Sequence, residues 1–161
     1  GDPADSVAGV SFRHLSMLAQ IKSSDEDVWN SLRKSGHLEG KPRDSLSGRL
    51  RRMRNWVDGA HFPDAAKIEI RSKISNEVRE NLTGDQVVFL SALGERLADC
   101  DWEEDEISSS IKLIASKTGI GVRDAYIALY LVILGKGHGP KASSLMAEME
   151  SEHVMSLIDE L

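Results

Sequence analysis

The stretch "LGKGHGPKAS" at residues 134–143 gathers three glycines, two lysines, a histidine and a proline behind an apolar run. A loop of that composition could cradle phosphate. The Walker A pattern, G-x-x-x-x-G-K-[S/T], uses its second glycine for close backbone approach and its hydroxyl for magnesium. Counted from Gly135, Pro140 occupies the second glycine and Ala142 the hydroxyl position, although Lys141 is in register. The dinucleotide pattern G-x-G-x-x-G accepts Gly135 and Gly137 and fails at the same Pro140. The loop is therefore not a nucleotide-binding loop of either kind.

A second concentration lies between Arg33 and Arg54. Arg33, Lys34, Lys41, Arg43, Arg49, Arg51, Arg52 and Arg54 face only Glu39 and Asp44, a local charge of +6 in a chain whose remainder carries −12. A basic island in an acidic chain points to a localised anionic partner; a solvated helix face is the plainer reading of the same residues. Trp56 follows the arginines directly. Beside cations, an indole can stack on an unpaired base, or it can simply cover the edge of a core.

Catalytic patterns are absent. His14, His37, His61, His138 and His153 form no H-E-x-x-H or other metal spacing. No G-x-S-x-G element occurs, and Cys100 is the sole cysteine, with no recognisable catalytic partner. A lone cysteine makes no internal disulfide and suits a reducing, cytoplasmic setting. The acids at 99–106 lack the spacing and turn glycine of an EF-hand, and read as a solvated helix start. No metal site is expected. The chain reads as a recognition or scaffolding module.

The elements that position these residues are helical almost throughout. Phe12, Leu15, Leu18 and Ala19 form one stripe behind a Ser11 cap. Residues 23–36 open with serine and acids and close with basic residues, as the helix dipole favours. Leu46, Leu50, Met53 and Val57 line the next helix, over 45–59, and a shorter one follows at roughly 68–80. Thr83 and Gln86 have capping-box spacing. A helix then runs to about Cys100, another to Gly119, and "VRDAYIALYLVILG" is apolar around most of its circumference, as a central helix would be. One or two helices close the chain, with Pro140 placed for a first helical position. No apolar stretch reaches the roughly 18–20 residues of a membrane span, so no membrane partner is expected.

The expected class is all-α, a helical bundle or cage of about seven to nine helices in two subdomains. The organisation is a disordered or vector-derived start at 1–9, a first subdomain at 10–81 carrying the basic island, and a second at 82–161.

The segments "VSFRHLSMLAQI", "RLRRMRNWV" and "DAYIALYLVILGKGHGPKASSLMAEMESEHVMSLIDEL", in this order and spacing, resemble the C-terminal region of class I lysyl-tRNA synthetases. The last segment is also similar to the end of glutamyl-tRNA synthetases, where a helix, a proline-containing loop and closing helices form an anticodon-binding cage. The resemblance implies that this chain docks on the anticodon stem-loop of lysine tRNA. It further implies that ATP and lysine bind in an N-terminal catalytic domain absent from this chain, whose HIGH and KMSKS signatures do not occur here. No catalytic residue or cofactor is therefore assigned to this chain.

By the resemblance, the anticodon-loop residues are Tyr130, Lys136, His138, Gly139, Pro140, Lys141 and Ala142. Pro140 matches the loop proline, and Tyr130 stands where glutamyl enzymes carry an arginine. Arg49, Arg51, Arg52 and Arg54 would grip the RNA backbone, Trp56 would stack on a base, and a helix start near Pro140 would present N–H groups to an anion. A helical protein–protein module, its basic island meeting an acidic partner, is the rival reading.

Overall fold

The computed structural model describes residues 9–161. Of the start expected at 1–9, residues 1–8 lie outside the described residues. Nine α-helices and no strand occur among the described residues, in agreement with the all-α expectation. None of these helices is long and apolar enough to cross a membrane. The chain divides into two compact units, Gly1–Glu69 and Ile70–Leu161.

The first unit holds α1 (Phe12–Ile21), α2 (Asp25–Lys34) and α3 (Asp44–Val57). Ser11 and Ser24 cap α1 and α2, accepting from the amides of His14 and Asp27. Asp25, Glu26 and Asp27 open α2, and Arg33 and Lys34 close it, complementing both ends of its dipole. Helices α1 and α3 pack together, burying Leu15, Met17, Leu18, Leu46, Leu50 and Met53. Phe12, expected within the buried stripe, is instead 40% exposed. A 3-10 turn at Asp64–Ala66 follows α3. Gln20 clamps the connector, donating to the Ala66 carbonyl (3.2 Å) and accepting from the Ile68 amide (2.8 Å).

The second unit holds α4 (Asn76–Asn81), α5 (Gly84–Leu97), α6 (Glu104–Thr118), α7 (Val122–Leu134), α8 (Ala142–Ala147) and α9 (Ser151–Asp159). It begins at Ile70, earlier than the division expected between residues 81 and 82. The capping box at Thr83 and Gln86 is present, but it marks a helix start inside this unit. The reason lies in residues 70–82. The Arg71 amide donates to the Ile133 carbonyl at 2.8 Å, and Arg79 donates to the Glu160 carbonyl at 2.7 Å. The Ile74 amide donates to the Glu160 carboxylate at 3.3 Å. The segment is thereby bonded to the ends of α7 and α9. Its helix is also shorter than expected, because residues 68–75 run irregularly.

Phe89, Leu90, Leu93, Ile107, Ile111, Leu129, Ile133 and Leu157 form the core of this unit, with α5 packing on α6, α7 and α9. Helix α7 buries Ala125, Ala128, Leu129, Val132, Ile133 and Leu134. Its other side is only half-covered at Tyr126 and Tyr130, and Val122 is exposed, so α7 is less enclosed than its composition suggested. Helices α6 and α7 stop at Gly119 and Gly135, whose φ of 77° and 74° is the left-handed cap that glycine adopts without a Cβ penalty. Cys100 lies half-buried in the turn after α5 rather than within a helix. Beside it, Trp102 Nε1 donates to the carbonyls of Met146 and Met149, tying the α5–α6 turn to α8.

Candidate nucleic-acid interface

In the second unit, α7 delivers Tyr130 to the loop that follows Gly135. The Tyr130 hydroxyl donates to the Pro140 carbonyl at 2.7 Å and accepts from the Ala142 amide. Its ring lies against Gly139. A Cβ on Gly139 would stand 2.6 Å from Leu134 Cδ1, and 3.2 and 3.3 Å from ring carbons of Tyr130. Residue 139 is thus glycine for lack of space. Gly137 and Gly139 do not adopt a positive φ; within this loop only Gly135 does. Tyr130 therefore shapes the turn, with its hydroxyl satisfied on both sides by loop backbone.

Burial raises the Tyr130 phenol above its ordinary value of 10.0; the Ala142 amide partly offsets this, and the neighbouring Tyr126 adds to it. The folded state then holds this proton more tightly than the unfolded chain does. Its contribution to stability falls as pH rises through the ordinary value and on through the raised one. In an absorbance titration of the two tyrosines, the Tyr130→Phe variant should lose a component ionising above that ordinary value. Persistence of that component would assign it to Tyr126 and deny that burial shifts Tyr130.

Pro140 lies just outside α8 rather than in its first turn: the helix begins at Ala142, and Lys141 is the cap position. With six residues, α8 is short, and its Ala142 amide is already bonded to Tyr130. The helix start expected to present N–H groups to an anion thus has its first amide already engaged. Lys141 Nζ pairs with Glu104 of α6 at 3.0 Å, and Ser144 donates to the same carboxylate oxygen at 2.8 Å. His138 is exposed at the loop tip, and Lys136 is half-buried.

Arg71, which carries no motif of its own in the sequence, reaches the same loop. Its guanidinium lies over Gly135, so that a Cβ there would meet Nε at 2.9 Å, Nη2 at 3.3 Å and Cζ at 3.5 Å. Its carbonyl accepts from His153 Nε2 at 2.6 Å. Only the length of the chain between residues 71 and 135 hid this neighbour.

In the first unit, α3 separates the arginines. Arg54 turns inward: Nε donates to Asp25 at 2.7 Å, and Nη1 donates to the carbonyls of Ala19 (3.2 Å) and Lys22 (3.5 Å). Arg54, expected to grip an RNA backbone, is thus already engaged within the chain. Its place at the α1 C-terminus gives it an internal role. Arg49 is half-buried and donates to the Val10 carbonyl at 3.1 Å. Arg51 and Arg52 are exposed. Arg33, at the edge of the basic island, donates to the Gly40 carbonyl at 2.7 Å and pairs with Glu26 at 3.5 Å.

Phe12, Arg49, Arg52, Met53 and Trp56 line an open groove beside these arginines. Trp56 is 40% exposed, stands edge-on to buried Phe62 with centroids 4.9 Å apart, and tilts toward Phe12 at 5.5 Å. It therefore covers a core edge and also shows part of its ring to solvent. No group of three or more histidine, cysteine, aspartate or glutamate side chains placed for a metal occurs among the described residues.

A family model described as "Anticodon binding domain" matches residues 18–160. The chain belongs to this family. Among curated proteins, this anticodon-binding chain is 30% identical over 151 residues to a lysine–tRNA ligase of Archaeoglobus fulgidus, covering 92% of this chain and 29% of that protein. It is 28% identical over 175 residues to a lysine–tRNA ligase of Methanopyrus kandleri, covering 97% and 30%. The chain thus spans about 30% of the length of these relatives. Among solved structures, it is similar in fold to a glutamate tRNA ligase from Elizabethkingia meningosepticum. There the TM-score is 0.53 at 17% identity, over 91% of this chain and 30% of the other.

Proposed function

We propose that this anticodon-binding chain is the anticodon-reading part of a class I lysine–tRNA ligase. It docks on the anticodon stem-loop of tRNA(Lys) in the cytoplasm. There it positions the tRNA for ATP-dependent aminoacylation by an N-terminal catalytic domain belonging to the same protein. The observation that carries this reading is the family match over residues 18–160, together with archaeal lysine–tRNA ligases that align with nearly the whole chain.

The geometry suits the task. Exposed Arg51 and Arg52 offer phosphate contacts, and the half-open Trp56 face offers a stacking platform. The loop at 135–141 is a rigid presenter, clasped by Tyr130 from behind, with His138 outward. Lys141 reaches the RNA only by leaving Glu104 or by extending their pair; Gly139, Pro140 and Ala142 act through backbone shape.

Anisotropy titration with a lysine tRNA transcript tests the reading. Binding should weaken sharply when the anticodon is changed. The Arg51→Gln/Arg52→Gln double variant should bind about tenfold or more weakly, with the slope of log affinity against log salt flatter by roughly 1.5 to 2. Equal affinity for both anticodons would remove the anticodon reading. No binding to tRNA of any sequence would favour a protein partner for the basic face.

A further inference from the structure

The loop at 135–141 lacks an exposed cation rigidly held by its own residues, since Lys141 pairs with Glu104 and Lys136 is half-buried and engaged. The structure supplies one from elsewhere. Arg71 belongs to the irregular segment before α4, and its backbone is fixed at both polar atoms. The amide donates to the Ile133 carbonyl at 2.8 Å, and the carbonyl lies 2.6 Å from His153 Nε2. From this anchored position the side chain crosses Gly135, with Nε, Cζ and Nη2 all within 3.5 Å of where a Cβ would be. One side of the guanidinium rests on glycine, and the residue is exposed to solvent. Among the described residues no carboxylate pairs with it.

Such a group differs from an ordinary surface arginine. Its backbone is pinned, its side chain is supported by a residue that can only be small, and its N–H donors are open. Arginine presents those donors in a planar fork that matches a phosphate. A cation at the α7 C-terminus also complements that helix dipole, but this requires only charge near the last carbonyls and not an open fork.

We propose that Arg71 is an RNA contact of this domain, gripping a phosphate of the unpaired nucleotides that meet the loop at 135–141. The proposal rests on the RNA-binding reading above and adds to it a residue outside every segment that carried the resemblance. The groups facing Arg71 are Gly135 and Ile133 of the α7 end and His153 of α9. Glycine at 135 is doubly required: its φ of 74° favours no other residue, and a side chain would drive the guanidinium away.

The test uses the whole chain and the anticodon stem-loop of lysine tRNA, titrated by anisotropy at several salt concentrations. Arg71→Gln keeps a planar amide over Gly135 and removes the charge. Arg71→Lys keeps the charge and removes the fork. We expect Arg71→Gln to weaken binding about tenfold and to lower the salt slope by about 0.7 to 0.9, one phosphate contact. Arg71→Lys should weaken binding by a smaller factor and leave the slope unchanged. Both variants should melt as the parent does. Parental affinity and slope in Arg71→Gln, with the parent binding RNA, would overturn the role of Arg71 alone. Weakened binding of Arg71→Gln with an unchanged slope would also overturn it, since loss of the charge without loss of a phosphate contact marks a structural effect. If the parent does not bind the stem-loop, the RNA reading itself fails, and Arg71 with it.

Discussion

Gly139→Val should destabilise the second unit by about 1–3 kcal/mol and displace the loop at 135–141. The first added atom already stands 2.6 Å from Leu134 Cδ1 and 3.2 Å from the Tyr130 ring. Neither neighbour yields freely. Leu134 is 3% exposed within the core, and Tyr130 is held at its hydroxyl by Pro140 and Ala142. Valine adds two further methyl groups to this contact. The chain can relieve the clash only by lifting the loop, which breaks the Tyr130 clasp and leaves a half-buried hydroxyl and two backbone groups unpaired. Thermal melting should show a loss of roughly 5–15 °C. RNA binding through the loop should be lost even well below the transition. Gly137→Ala is the internal control: its Cβ would meet only Ile127 Cγ2, at an ordinary 3.8 Å. Parental stability and binding in Gly139→Val would refute the close-packed loop. An equal loss in Gly137→Ala would show that any glycine in the loop is needed for flexibility alone.

The contrast between these two glycines shows what the sequence carries and what it does not. Local signals are legible because their chemistry acts over three or four residues. Ser11, Ser24 and Thr83 cap as their spacing implies, and Gly119 and Gly135 end their helices. Apolar periodicity likewise places Leu46, Leu50 and Met53 in the core. The all-α class follows from such signals. The candidate site is less legible, because it depends on partners far apart in the chain. "LGKGHGPKAS" contains two lysines, yet nothing local says that Glu104 holds Lys141 or that Arg71 covers Gly135. Within the basic island, every arginine carries the same charge on paper. Which of them is open depends on where α1 ends relative to α3, and that is a tertiary fact. The unit boundary lies at Ile70 for the same reason: Arg71, Ile74 and Arg79 make bonds to residues 62 to 86 positions further along.

Arg54→Ala should therefore act on stability, unlike its neighbours on α3. We expect the first unit to lose about 2 kcal/mol, while Arg51→Ala and Arg52→Ala stay within about 0.5 kcal/mol. Part of the loss is the ion pair with Asp25, whose own side chain is 60% exposed; a pair so open to water contributes about 0–1 kcal/mol. The larger part comes from Ala19 and Lys22, whose carbonyls lie at the α1 end and accept from Arg54 Nη1. Removing the guanidinium leaves these part-buried carbonyls without that donor and opens a void beside Ala19, which is 7% exposed. Asp25→Asn separates the two contributions, since it weakens the ion pair and spares the carbonyls. It should therefore lose less than half of what Arg54→Ala loses. Urea melts of the three arginine variants, with amide exchange read on α1 and α3, measure the difference. Equal destabilisation by Arg51→Ala and Arg54→Ala would deny Arg54 its internal role and return it to the RNA-facing set. The same comparison divides the basic island physically: residues whose loss flattens the salt dependence of RNA binding face outward, and the one whose loss loosens α1 faces in.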